Sequence, residues 1–310
     1  VRRHFGQEAL DVFAEPLLAG IYVGDPETMS IRATYPQYVE MERTHGSLIR
    51  AMRSAPPVTP DPLAPKTAFF SLKGGTQELV DTLASRLTGD VRTGQGSLNI
   101  KQMLPDILRR INSEFQSMII TTSAGDAAWL LETNSSERML GNKLDEYAGS
   151  TRHSEVFSLG YRTADVDHDL NGFGFVVTRS ESHFVQACTW SSTKLPGRAT
   201  EEQVLIRIFL QMSLYVRTEW WFNIEDRVEL CRDMLKKTMG VQNPPILVHS
   251  RHWRNPQYKV GHLERLAEIE SLCPPGLFLA GSSYRGVGVP DCIHQGQVAA
   301  QKAMAYLGID

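Results

Sequence analysis

The segment that most constrains the fold lies near the carboxy-terminal end. Leu277-Phe278-Leu279-Ala280 is a short apolar run, residues 281–290 are rich in glycine, and Asp291 can cap a helix running to Leu307. A strand, glycine loop and helix in that order aim a helix amino terminus past the end of the strand. Unpaired backbone N–H groups and roughly half a positive charge gather at such a terminus, which suits a phosphate or an electron-rich ring edge. Glycine lets that backbone come close to whatever it meets. The alternative, a glycine-rich connection that binds nothing, is equally compatible with these residues.

The rest of the chain alternates helical and strand patterns. Phe5, Ala9, Val12, Phe13, Leu17 and Leu18 sit near helical spacing and predict an amphipathic helix over residues 2–18, disturbed at Pro16 just before Gly20. Core packing is the ordinary role for that stripe; a pocket wall or a membrane-resting surface are the alternatives. A second helix is predicted over Tyr38–Arg53. Five of the ten residues from Pro56 to Pro65 are proline, which predicts a surface linker and a domain boundary. Phe69, Phe70 and Leu72 read as a strand, Gly74-Gly75 as a turn, and Leu79, Val80, Leu83 and Leu87 as the stripe of a helix closed by Gly89. Phe115, Met118, Ile119 and Ile120 predict a buried strand, followed by a helix carrying Trp129, Leu130 and Leu131. The glycine-punctuated apolar runs between Val156 and Trp190 favour antiparallel strands. Val204–Leu210 and Ile246–Val248 add strands on either side of a helix from Asp226 to Met239.

Composition removes several function classes. With 42% hydrophobic and 22% charged residues in 310, the chain is an ordinary globular one, and a net charge of −3 offers no basic face for nucleic acid. Cys188, Cys231, Cys273 and Cys292 are scattered without a CxxC pair, which suggests neither zinc nor a disulfide framework and fits a reducing compartment. No apolar run reaches the roughly 18 residues of a spanning helix. Gly94-Gln95-Gly96, Gly172-Phe173-Gly174 and Gly286-Val287-Gly288 all lack the third glycine of a dinucleotide fingerprint. Residues 281–286 miss the nucleophile elbow by one position. His249, His252 and His262 lack metal-site spacing and read as surface or core histidines. Glu264 and Glu268 read as exposed helical charge. No catalytic acid, base or nucleophile and no metal ligand stands out.

The loop LFLAGSSYRGVGVPDCIHQGQVAA nevertheless resembles the carboxy-terminal flavin motif of the porphyrinogen oxidases. Further blocks follow that family's order: EPLLAGIYVGDPETMSIRATYP, FFSLKGGTQELVDTLASRL, GFGFVVTRSE with ACTWSS, and PQYKVGHLERLAEIE. The resemblance implies FAD as cofactor, with Val287, Gly288 and Val289 against the flavin, Gly281 allowing close approach at the preceding turn, and Trp253 as a further flavin neighbour. It implies a tetrapyrrole pocket lined by Leu17 and Gly20 on one side and by Phe173, Gly174, Val176 and Phe209 on the other. Apolar and aromatic walls suit a large macrocycle with carboxylate arms. The family's opening GxGxxG and acidic ribose ligand have no counterpart here and are expected before Val1. Gln211-Met212 replaces a usual Gly-Gly, and residues 91–118 are shortened and altered around Ser97.

The implied architecture is an α/β fold of the p-hydroxybenzoate-hydroxylase type, incomplete, with a mixed-sheet substrate domain and a helical region. The expected segments are a helical, substrate- or membrane-proximal region at 1–60, part of the FAD-binding domain at 61–130, a substrate-binding domain at 131–260, and the carboxy-terminal part of the FAD-binding domain at 261–310. The implied reaction is oxidation of protoporphyrinogen IX to protoporphyrin IX with O2 as acceptor. Coproporphyrinogen III oxidation and a non-catalytic tetrapyrrole-binding relative are the alternatives, and a general amine oxidase is a more distant rival. The expected setting is cytoplasmic; peripheral membrane contact and a homodimer are compatible with the sequence.

Overall fold

The computed structural model describes residues 1–54, 71–94, 116–131, 138–149, 151–182, 184–212 and 223–309. The proline-rich linker, Phe69, Phe70, Phe115 and the surroundings of Ser97 lie outside them. In chain order the helices used below are α1 (Glu15–Tyr22), α2 (Pro36–His45), α3 (Leu48–Ser54), α4 (Gln77–Arg86), α5 (Ala124–Leu131), α6 (Arg138–Ala148), α7 (Ile224–Met239), α8 (His262–Leu272) and α9 (Val289–Leu307). The strands are β1 (Met118–Ile120), β2 (Arg152–Arg162), β3 (Gly174–Val176), β4 (Val185–Trp190), β5 (Gln203–Gln211), β6 (Leu247–Asn255) and β7 (Leu277–Leu279). They group into two compact units, one from Val1–Glu27, Thr59–Gly89 and Arg152–Asn255, the other from Thr28–Val58, Asp90–Thr151 and Pro256–Asp310. This division differs from the four expected segments: α4, expected with the cofactor domain, groups with the large sheet.

The first unit is built on a five-stranded sheet of order β3-β4-β5-β2-β6, paired antiparallel throughout. Strict alternation gives the sheet two faces. Phe157, Leu159 and Tyr161 of β2, Cys188 and Trp190 of β4, and Ile206, Ile208 and Leu210 of β5 form one core face, against which α7 lays Cys231, Leu235 and Met239 at four-residue spacing. Asn223 caps α7 by accepting the Glu225 N–H at 2.8 Å, and Gly240 ends it in the left-handed region. Truncating Leu159, fully buried here, would cost about 2–5 kcal/mol. Glu155 is buried on β2 and compensated by Arg227 of α7 at 2.8 Å, while Glu15 of α1 pairs with Arg179. Burial raises the Glu15 carboxyl above its usual range, against the pull of Arg179.

In the second unit β1 and β7 pair in parallel, Met118 against Leu277 and Ile120 against Leu279. Parallel and antiparallel pairing, expected together in one substrate sheet, are therefore divided between the units. Ala127 and Leu131 of α5, Leu140 and Leu144 of α6, and Leu266 and Ile269 of α8 close a core over this pair.

Three local differences have physical causes. The predicted helix over residues 2–18 is interrupted at Gly6, widens into a π-turn at Leu10–Ala14, and continues as α1 through Pro16 to Tyr22. Pro16 lacks the N–H that would close a regular turn, and the wider turn relieves that misfit. The predicted Tyr38–Arg53 helix is two helices, α2 and α3, because Gly46 takes a φ of 68°. Finally, α9 starts at Val289, so Asp291 sits at its third position and accepts the Gly288 N–H at 3.2 Å.

Candidate functional site

The glycine loop of the second unit is fastened through its carbonyls. After β7 the Ala280 N–H reaches the Ile120 carbonyl, and Gly281 turns the chain with a φ of 114°, where a Cβ would approach the Thr121 carbonyl to 3.3 Å. Three aromatic side chains then take successive carbonyls. The Tyr258 hydroxyl donates to Ser282 (2.6 Å), the Tyr147 hydroxyl to Ser283 (2.9 Å), and His262 Nε2 to Tyr284 (2.8 Å). A carbonyl only accepts, so Nε2 of His262 carries the proton; burial holds this imidazole below its usual pKa. The Ser283 hydroxyl accepts the Ala124 N–H at the start of α5, tying the loop to β1's following helix.

With its carbonyls held, the loop leaves amides free at the mouth of α9. Among the described residues the Val287 and Val289 N–H groups have no acceptor, while the Gly288 N–H is taken by Asp291. Val287 and Gly288 are half-buried, and Val289 is exposed. A cavity of about 720 Å³ runs beside β7 and α9, lined by Phe278, Arg285, His294 and Lys302, but none of Gly281, Val287, Gly288 or Val289 lines it.

The remaining expected site residues lie in the first unit. Cross-strand partners share a face of the sheet. Register sets Val176, Ala187, Phe209, Val156 and Arg251 in one row across β3, β4, β5, β2 and β6, and Gly174, Thr189, Arg207, Ser158 and His249 in the next. Trp253, expected beside the cofactor, falls opposite Ser154 on this same face, in the first unit. This face is opposite the α7 core. Helix α1, which carries Leu17 and Gly20, packs against β3 and β4; the Leu17 side chain is exposed. Phe173 precedes β3, its carbonyl accepting the Trp190 N–H, and its ring is half exposed. Gly174 is explained by the backbone alone: at a φ of 130° its Cβ would lie 2.1 Å from the Cys188 carbonyl oxygen.

Several residues that shape these places were given no site role in the sequence. Val156, Ser158, Arg207, His249 and Arg251 line a cavity of about 370 Å³ together with Phe209 and Trp253. Alternation at 207/209 and 249/251/253 carried that information. Tyr147 and Tyr258 had no local signal. The three histidines read together separate: His249 and His252 occupy opposite faces of β6, His252 stacking on His153, and His262 is buried in the other unit. Glu264 pairs with Arg32 and Glu268 with Lys143, each at 2.9 Å. No described helix is long and apolar enough to cross a membrane.

Comparison with known proteins agrees with this architecture. The profile of the flavin containing amine oxidoreductases matches residues 1–304. The chain is 31% identical over 321 residues to coproporphyrinogen III oxidase of Bacillus subtilis (strain 168), covering 99% of this chain and 66% of that one. It is 25% identical over 341 residues to the chloroplastic protoporphyrinogen oxidase of Nicotiana tabacum, covering 99% and 61%. The chain thus spans about two thirds of the length of these relatives. A solved structure of a protein assigned as a protoporphyrinogen oxidase from Exiguobacterium sp. 255-15 superposes with a TM-score of 0.71 at 23% identity, over 99% of this chain and 66% of that one. Reduced UDP-galactopyranose mutase superposes with a TM-score of 0.58 at 18% identity, over 99% and 67%. The α/β fold is shared with both.

Proposed function

The chain belongs to the flavin containing amine oxidoreductase family, and from that premise we propose that it serves the oxidation of a porphyrinogen to a porphyrin, with FAD as cofactor and O2 as acceptor. The observation that carries this reading is the pair of open amides, Val287 and Val289, at the mouth of a helix whose preceding loop is fastened at three successive carbonyls. Two N–H groups beside a positive dipole end fit the carbonyl- and nitrogen-bearing edge of an isoalloxazine, whose negative charge grows on reduction. When bound, the flavin would supply the two-electron chemistry.

The chain's own contribution is positioning. Val287, Gly288 and Val289 would hold the flavin edge through backbone, and Tyr147, Tyr258 and His262 would keep that backbone from relaxing. Phe209 and Val176, in one cross-strand row with Ala187 and Val156, would offer an apolar wall to one side of the macrocycle, with Phe173, Leu17 and Gly20 as its expected companions. No side chain is assigned as general acid or base.

The test is direct. Purified protein should carry flavin absorbance and, under air, generate porphyrin fluorescence from protoporphyrinogen IX, from coproporphyrinogen III, or from both. Flavin-loaded protein that leaves both substrates unoxidised would remove the proposal. Comparing the two rates assigns the preferred macrocycle.

A further inference from the structure

The same sheet face carries a cluster of basic side chains. Arg207 of β5 and His249 of β6 flank Ser158 of β2 in one row, and Arg251 stands one side-chain step along β6 in the next, opposite Val156. All four line the 370 Å³ cavity with Phe209 and Trp253, and among the described residues no aspartate or glutamate lines it. Among the described residues the Arg207 guanidinium reaches the Ser158 hydroxyl alone, at 3.5 Å, and that of Arg251 lies 6.0 Å from the centre of the Trp253 ring. Neither arginine has an ion-pair partner among the described residues. Glu155, the acid of β2, points to the opposite face and is held by Arg227. Arg207 and Arg251 stand diagonally, two strand spacings and one side-chain step apart, roughly 12 Å between backbones, and their like charges favour entry of an anion between them.

We infer that Arg207 and Arg251, with Ser158 and His249 between and beside them, form a subsite for carboxylate arms of a tetrapyrrole macrocycle that rests on Phe209 and Trp253. The inference rests on the functional reading above, and adds to it the residues that take the substrate's charge. Guanidinium forks match carboxylate geometry, and the aromatic pair beside them supplies the apolar contact such a macrocycle needs. Replacement by lysine would keep charge but lose the fork.

Binding of coproporphyrin III and of its tetramethyl ester by flavin-loaded protein, followed by fluorescence quenching, tests the assignment. Arg207→Gln and Arg251→Gln should each weaken the free acid about tenfold or more, more steeply at low salt, and leave the ester within about twofold of the unmodified protein. Arg251→Lys should recover part of the loss. Unchanged affinity for the free acid in the double Arg207→Gln/Arg251→Gln variant overturns the subsite, as does an equal loss for acid and ester with the circular dichroism spectrum unaltered. If the unmodified protein binds neither porphyrin, the functional reading falls and the subsite with it; binding that ignores only the arginines removes the subsite alone.

Discussion

The imidazole of His262 should leave a measurable mark on the pH dependence of the second unit's stability. It is 2% exposed, donates from Nε2 to the Tyr284 carbonyl, and packs at 3.9 Å centroid distance on the Tyr258 ring. Burial lowers its pKa below that of the unfolded chain, against the smaller opposing pull of the Tyr284 hydrogen bond. The folded form therefore binds fewer protons than the unfolded form, and the associated stability is present above the ordinary histidine pKa of about 6.5 and lost as pH falls below it. The slope cannot exceed about 1.4 kcal/mol per pH unit for one such group. His262→Gln keeps a donor near the Nε2 position without a titrating proton. Urea unfolding, read by hydrogen exchange across His262–Leu272, should show the unmodified protein losing stability relative to the variant between about pH 7 and pH 5. His153, whose pKa is also lowered by burial, is present in both proteins and cancels in the difference. Parallel curves for the two proteins would refute the argument.

Other perturbations address separate parts of the structure. Tyr258→Phe removes the donor to Ser282 and should cost about 1–3 kcal/mol, measured by chemical unfolding; flavin retention should drop with it while porphyrin affinity is unaffected. Glu155→Ala removes the carboxylate that lies 2.8 Å from the Arg227 guanidinium and should destabilise the sheet unit by about 3–5 kcal/mol in the same assay. Gly174→Ala should lower the thermal midpoint even without ligand, because the left-handed backbone alone costs about 1–2 kcal/mol for alanine and the Cβ additionally meets the β4 backbone. An unaltered midpoint would mean that β3 and β4 separate at no cost.

The elements that rest on local periodicity were legible. The alternation of β2 and β5, the stripe of α7 and the strand, loop and helix at Leu277–Leu307 are each written in neighbouring residues. The same alternation placed Val176 and Phe209 on strands, but their sharing one face depends on the register of β3, β4 and β5, which no single segment encodes. Arg251 and Arg207 were overlooked because only the placement of β6 against β2 brings them into one cavity. Tyr147 lies far along the chain from Tyr258 and His262, which are four residues apart, and the three meet on three adjacent carbonyls, a convergence that no single segment encodes. The break at Gly46 had a local cause, a glycine able to take a left-handed turn, that helical spacing outweighed.

The parallel pairing of Met118–Ile120 with Leu277–Leu279 has a consequence for how the protein comes into being. During synthesis the earlier strand cannot make this pairing until its mate emerges much later, and the intervening sheet unit can assemble meanwhile. The anchoring tyrosines and histidine can grip their carbonyls only after that mate arrives, so the seat proposed for the flavin should be among the last features to form. A nascent chain interrupted before Leu277 would hold a finished sheet and no cradle.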